Sequence, residues 1–350
     1  MKKAYLILEN GDVYEGTSIG VSGESVGEVV FTTGMGSYME TLTDPCYYGQ
    51  IIAQTFPLIG NYGAITPETE SKKSYCKGYI VRELCRVGSN FRLESELEDW
   101  LIANNVVGIE GIDTRRLTKT LRECGVMNGM ITPTLARKAE KLEIIKAYKV
   151  KDAIKNTASA EKKTVGEGKR VALINYGALG NIAQELTSRG CEVTVFPSTA
   201  TAEDVLSINP LGIVLSDGAG NPAEAKAEVE QITKLNEAKI PTFGISLGHQ
   251  LMALACGAKT GKLKYGHRGA SQPVKDLEAG KVRITAQNHG YVVRRNSLSE
   301  EIGKATMINL NDKSIEAIEY LDRPCYTVQF APDSADVDKF VKMIEEVRNA

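Results

Sequence analysis

The residue with the strongest claim to chemistry is Ser246, and the claim rests on its neighbours. It stands at the centre of Gly244-Ile245-Ser246-Leu247-Gly248-His249-Gln250. The run Ile240-Pro241-Thr242-Phe243 leads in, and Leu251-Met252-Ala253-Leu254-Ala255, a good helix former, leads out. Strand, sharp turn and helix, with glycines two residues either side of one polar residue, is the layout of a nucleophile elbow. The turn lifts the central side chain to a helix N-terminus, where amides can hold an oxyanion. A serine hydroxyl there needs an adjacent base. The chain has three histidines, His249, His267 and His289, and none beyond His289. His249 falls in the elbow's own first helical turn.

The elements around this motif are regular. Val171–Ile174, Glu192–Phe196, Gly212–Leu215 and Thr242–Ile245 are short β-rich runs. Helical stretches separate them, over Asn181–Arg189 (ended by Gly190) and Ala223–Ala238. Alternating β and α segments predict an α/β domain over 170–350, an open, mostly parallel sheet flanked by helices. The elbow then lies at a strand's C-terminal end, where such sheets place their sites. Residues 151–169, rich in Lys, Glu, Ala, Thr and Gly and without an apolar period, read as a linker. Residues 1–150 form a mixed α/β domain. Its start reads as an edge strand turning at Asn10-Gly11. Glu94–Asn104 has a helical pattern with Trp100 and Leu101 on its apolar side, and Asp113 or Thr114 caps a second helix.

Composition narrows the class. A chain of 350 residues suits two domains, and its net charge of -2 favours neither nucleic acid nor an anionic membrane. No segment approaches the ~20 apolar residues of a membrane span. The seven cysteines are scattered and include no C-x-x-C pair, so reduced thiols in a cytoplasmic protein are expected and a metal site is not.

With these motifs placed, the chain resembles the small, glutamine-amidotransferase subunit of carbamoyl phosphate synthetases, and the elbow resembles that of class I glutamine amidotransferases. Over 1–150 the resemblance rests on Gly27–Met35, Glu40–Pro45, Ile59–Gly63 and Gly111–Arg115. Over 170–350 it rests on the elbow, Gly266–Ala270, Pro273–Asp276 and Gln287-Asn288-His289-Gly290-Tyr291. The resemblance implies a chain that docks on a large synthetase subunit. That partner would hold the ATP and magnesium, with no cofactor in this chain. An active relative cuts glutamine with an elbow Cys, a His and a Glu, and passes ammonia to the large subunit.

The departures from that pattern gather on the glutaminase chemistry. Ser246 replaces the nucleophilic Cys. The C-terminal Gln-Phe-His-Pro-Glu reads Gln329-Phe330-Ala331-Pro332-Asp333, so Ala331 replaces the base and Asp333 is one methylene short of Glu. The oxyanion loop Ser-Asn-Gly-Pro-Gly-Asp-Pro reads Ser216-Asp217-Gly218-Ala219-Gly220-Asn221-Pro222, and loss of the proline is expected to loosen it. Cys46 stands where relatives carry a glutamine-contacting Ser. Gly218, Gly220, Leu247, Gln250, Asn288, Gly290 and Tyr291 match the family's other glutamine-contacting positions. Weak glutamine binding without cleavage, and mere upkeep of loop and sheet geometry, both remain open for them.

The expected function is a small subunit with a degenerate glutaminase site, serving ammonia-dependent carbamoyl phosphate synthesis for pyrimidine or arginine supply. Two alternatives stand beside it: a paralogous scaffold that senses glutamine, and a residual glutaminase using Ser246 with another base. The literal G-x-S-x-G of the α/β-hydrolases is a weaker match, because His267 and His289 follow too soon for a hydrolase core. Restoring Cys at 246 alone should not rescue hydrolysis. Restoring Cys, His and Glu at 246, 331 and 333 has the better prospect.

Overall fold

The computed structural model describes residues 2–178 and 180–349, which fall into two compact units, residues 1–151 and 152–350. In the first, the described strands close into a barrel. Its order is Lys3–Leu8, Val13–Gly20, Val107–Glu110, Gly78–Ile80, Gln50–Gln54, Ser25–Thr32 and Met127–Thr132, the last pairing back onto the first. The Asn10-Gly11 turn does join the first two strands, with Gly11 at φ 90°. The opening strand is nevertheless no edge: it is hydrogen-bonded on both sides. Closure of the barrel supplies the second partner and removes the edge.

Successive residues on these strands point to opposite faces. Val29, Ile51 and Ile80 join Leu6 and Leu8 in one core. Val30, Ile52 and Tyr79 join another, with Met39, Leu42, Leu97 and Leu101 from the flanking helices. The helix expected from Glu94 begins at Leu97, burying Leu101 fully while Trp100 is half-buried. Asp113 is the cap of helix Thr114–Cys124, its carboxylate accepting the Arg116 N–H at 2.9 Å.

The second unit is built on a ten-stranded sheet. Its centre is parallel, in the order Cys191–Pro197, Lys169–Ala178, Gly212–Gly218, Thr242–Ile245 and Cys325–Val328. An antiparallel extension continues from the last of these through Ile315–Tyr320, Gly303–Asn309, Thr260–Asp276 and Val282–Val293. Phe243 and Val328 lie in a core with Phe340 and Ile344 of the C-terminal helix. Leu215 and Ile213 lie in the opposite core, with Leu251 and Met252 of the elbow helix. Apolar cores on both faces explain why the central strands read as unbroken β-branched runs.

The segment read as a linker is structured instead. Helix Ala153–Thr157 packs on strand Lys169–Ala178, and strand Lys163–Val165 adds antiparallel to Cys191–Pro197. Lys163 and Thr164 are exposed, as suits an edge strand, and their backbone rather than an apolar period holds them. Among the described residues no helix is long and apolar enough to cross a membrane.

Candidate functional site

Strand Thr242–Ile245 ends at Ser246, and helix Leu247–Ala255 starts at the next residue. Ser246 has φ 47° and ψ -99°, a conformation that costs a residue with a side chain about 1–3 kcal/mol. It is held there by its neighbours. Its N–H donates to the Val328 carbonyl at 2.7 Å, and its own carbonyl accepts the Gln250 N–H at 3.1 Å. A Cβ on Gly248 would overlap the backbone of Leu215, and one on Gly244 would lie 2.7 Å from Thr327 Cγ2. The elbow's glycines are thus required by close approach of three strands and a helix.

The buried Ser246 hydroxyl has a carboxamide beside it: Gln329 Nε2 lies 3.5 Å from Oγ, a weak contact. Gln329 Oε1 accepts from Gln250 Nε2 at 2.9 Å, and the same nitrogen donates to the Tyr291 carbonyl at 2.7 Å. Gln250 is therefore tied to the Tyr291 carbonyl and to Gln329, and through Gln329 to Ser246, whose chain neighbour is Leu247. Gln329 lay inside the C-terminal motif, but nothing in its type marked it as the serine's neighbour.

No imidazole hydrogen-bonds Ser246 Oγ among the described residues. Fully buried His249 pairs through Nδ1 with Thr327 Oγ1 at 2.7 Å, and burial pushes its pKa down to about 3. His267 and His289 meet edge to face in the antiparallel extension and share Gln287 Oε1, at 3.0 and 2.9 Å. His267 Nε2 also pairs with Asp312 at 2.9 Å, and Glu316 lies 3.5 Å from Nδ1. Burial pulls the His267 pKa down, but the two carboxylates outweigh it and lift it to about 9. Burial, and then the charge of His267, hold His289 neutral. The donor atoms of His267, His289 and Glu316 lie within 4.8 Å of one another, yet each residue is already in this hydrogen-bonded network.

The wall expected to carry the base has other work. The Ala331 N–H donates to the Ala286 carbonyl at 2.9 Å, and its methyl is exposed. Asp333 caps the C-terminal helix Ser334–Asn349, Oδ1 accepting from Ala335 N at 2.9 Å and Asp336 N at 3.2 Å. Asp336 Oδ2 in turn accepts from Asp333 N–H at 3.0 Å, and Arg283 pairs with both carboxylates.

The loop after strand Gly212–Gly218 approaches the elbow closely. A Cβ on Gly218 would overlap the Tyr176 carbonyl and lie 2.9 Å from Leu247 Cδ2. Hydrogen bonds tie the end of that strand, before Ala219 where the proline is missing: Ser216 Oγ accepts from Tyr176 N at 2.8 Å and donates to the Asp217 carbonyl at 2.7 Å. Asp217 Oδ1 accepts two amides, Gly218 N–H at 2.6 Å and Leu247 N–H at 3.2 Å.

The remaining predicted positions are less central. Gly220, at φ 107°, lies against Ala153, and Asn288 pairs in register with Arg268 on strand Val282–Val293. A Cβ on Gly290 would lie 3.4 Å from Arg268 Nη2. Cys46 belongs to the first unit, buried on the turn Pro45–Tyr47, its N–H donating to Asp44 Oδ1 at 2.8 Å.

A strained strand-to-helix turn of this kind at the head of a parallel sheet is a nucleophile elbow, an arrangement shared by more than one class of α/β enzyme. Residues 172–346 match the family described as Glutamine amidotransferase class-I. Residues 6–131 match the Carbamoyl-phosphate synthase small chain, CPSase domain. The carbamoyl phosphate synthase small chain of Clostridium perfringens is 47% identical over 333 residues, covering 95% of this chain and 94% of its own. That of Listeria monocytogenes is 44% identical over 354 residues, covering 98% and 97%. The pyrimidine-specific small chain of Bacillus subtilis is 43% identical over 357 residues, covering 98% and 96%. The chain belongs to the carbamoyl phosphate synthase small chain family.

Proposed function

We propose that this chain is the small subunit of a carbamoyl phosphate synthase that works from ammonia, its own glutaminase chemistry lost. The observation that carries the reading is the bonding of Ser246: its hydroxyl has a carboxamide for a neighbour and no imidazole. A serine without a base is a poor nucleophile. The neighbouring histidines cannot easily substitute. His249 is engaged with Thr327, and His267 and His289 are engaged with Gln287. The role of the chain is then to dock on the ATP-dependent large subunit and support it.

The test is carbamoyl phosphate formation by this chain with a large subunit from the same source, supplied with glutamine or ammonium. Ammonium alone should serve. Glutamine-dependent synthesis, or glutamate release abolished by Ser246→Ala, would show that a replacement base exists. Failure to bind any large subunit, together with measurable glutamine binding, would favour the scaffold reading instead.

A further inference from the structure

Nucleophile elbows of this kind build their oxyanion hole from two backbone amides. One belongs to the residue after the nucleophile, the other to a neighbouring loop. Here those amides are Leu247 N–H, at the start of the elbow helix, and Gly218 N–H, brought against it because glycine alone fits beside Tyr176. Both donate to one atom, Asp217 Oδ1, at 3.2 and 2.6 Å.

We infer that Asp217 is an internal plug: its carboxylate occupies the oxyanion hole of the glutamine site. The inference rests on the proposed loss of glutaminase activity and names a second, independent cause of it. A carboxylate is a negative oxygen acceptor, like the oxyanion it displaces, and its hydrogen bonds to amides are of the stronger, charge-assisted kind. It both takes the donors and repels a second negative charge. Losing one such donor costs catalysis about 100-fold to 1,000-fold, and here both are taken. An Asn at 217 keeps the shape and drops the charge.

Glutamine hydrolysis shows why this matters. A thiolate bonds to the carboxamide carbon and the displaced electron pair moves to the carbonyl oxygen. Ammonia then leaves with the proton held by the imidazole, and water cleaves the thioester to glutamate. The negative oxygen must be held while the first adduct lasts. Restoring nucleophile and base leaves that oxygen without its amides.

The experiment compares two restored chains. One carries Ser246→Cys, Ala331→His and Asp333→Glu; the other adds Asp217→Asn. Ammonia and glutamate release should be at least about 100-fold faster in the second. Equal rates in the two overturn the plug. A direct readout uses the unrestored protein labelled at glycine and leucine nitrogen. Asp217→Ala should move the Gly218 and Leu247 amide resonances upfield and speed their hydrogen exchange. Amides that stay where they were overturn it too. Glutamate release by the native chain would instead count against the proposed function, so the two failures are distinguishable.

Discussion

The two walls of the candidate site differ in what holds them. The elbow wall is held by backbone. Gly244, Gly248 and Gly218 each sit where a Cβ would strike a neighbouring strand or residue, and Ser246 keeps a costly φ of 47°. The opposite wall is held by side chains, with Asp333, Asp336 and Arg283 fastening the C-terminal helix next to a small, exposed Ala331. Under the proposed loss of hydrolysis, the difference teaches that a site can lose its reaction unevenly. Backbone geometry that packing requires survives, while side chains that only the reaction required are free to change.

Gly248→Ala tests the backbone wall most severely. It should destabilise the second unit by about 4 kcal/mol or more, seen as loss of soluble protein or a large fall in Tm, because Leu215 cannot yield. A mild effect would break the contrast. His267→Gln comes next. It leaves Asp312 and the fully buried Glu316 without their cation and should cost about 3 kcal/mol. A pH profile sharpens this. His267 is raised from 6.5 to about 9, so its stabilisation is complete below pH 6.5 and fades as pH rises through about 9. Denaturant midpoints of the native chain should fall across that window, and those of the variant should stay flatter.

Asp333→Ala is smaller, about 1–2 kcal/mol, from loss of a helix cap. Ammonium-dependent synthesis by the assembled protein should be unchanged, since the residue fastens a helix. Smallest, and opposite in sign, is Ser246→Gly. Relief of the backbone strain should exceed the entropy cost of glycine and stabilise by about 1 kcal/mol, read from the midpoint of chemical unfolding. Destabilisation there would mean that the serine is held for its hydroxyl.

The parallel half of the second unit was legible because its strands are buried on both faces and read as unbroken apolar runs. Thr242–Ile245 coincides with its expected limits. The barrel was not, since Gly78–Ile80 and Val107–Glu110 are too short to show a period and closure depends on partners far apart in sequence. Segment 151–169 misled because its helix is a single short turn that packs through Ala153 and Ile154, and its edge strand through Val165, too few apolar residues to show a period. At the site, Ser246 and Ala331 were plain from residue type alone. Asp217 was readable as a change in the loop, but its effect was not. Only folding brings Leu247, thirty residues on, within reach of its carboxylate. Gln329 escaped notice for the same reason.

The crowding at Gly244 and Gly248 has a consequence for how such proteins are recognised. The glycine-flanked signature persists because a larger residue would force the sheet and helix apart, whatever the side chain between them does. A pattern search on these seven residues therefore reports a packing constraint. Whether the protein works must be sought among the neighbours that packing leaves free to drift.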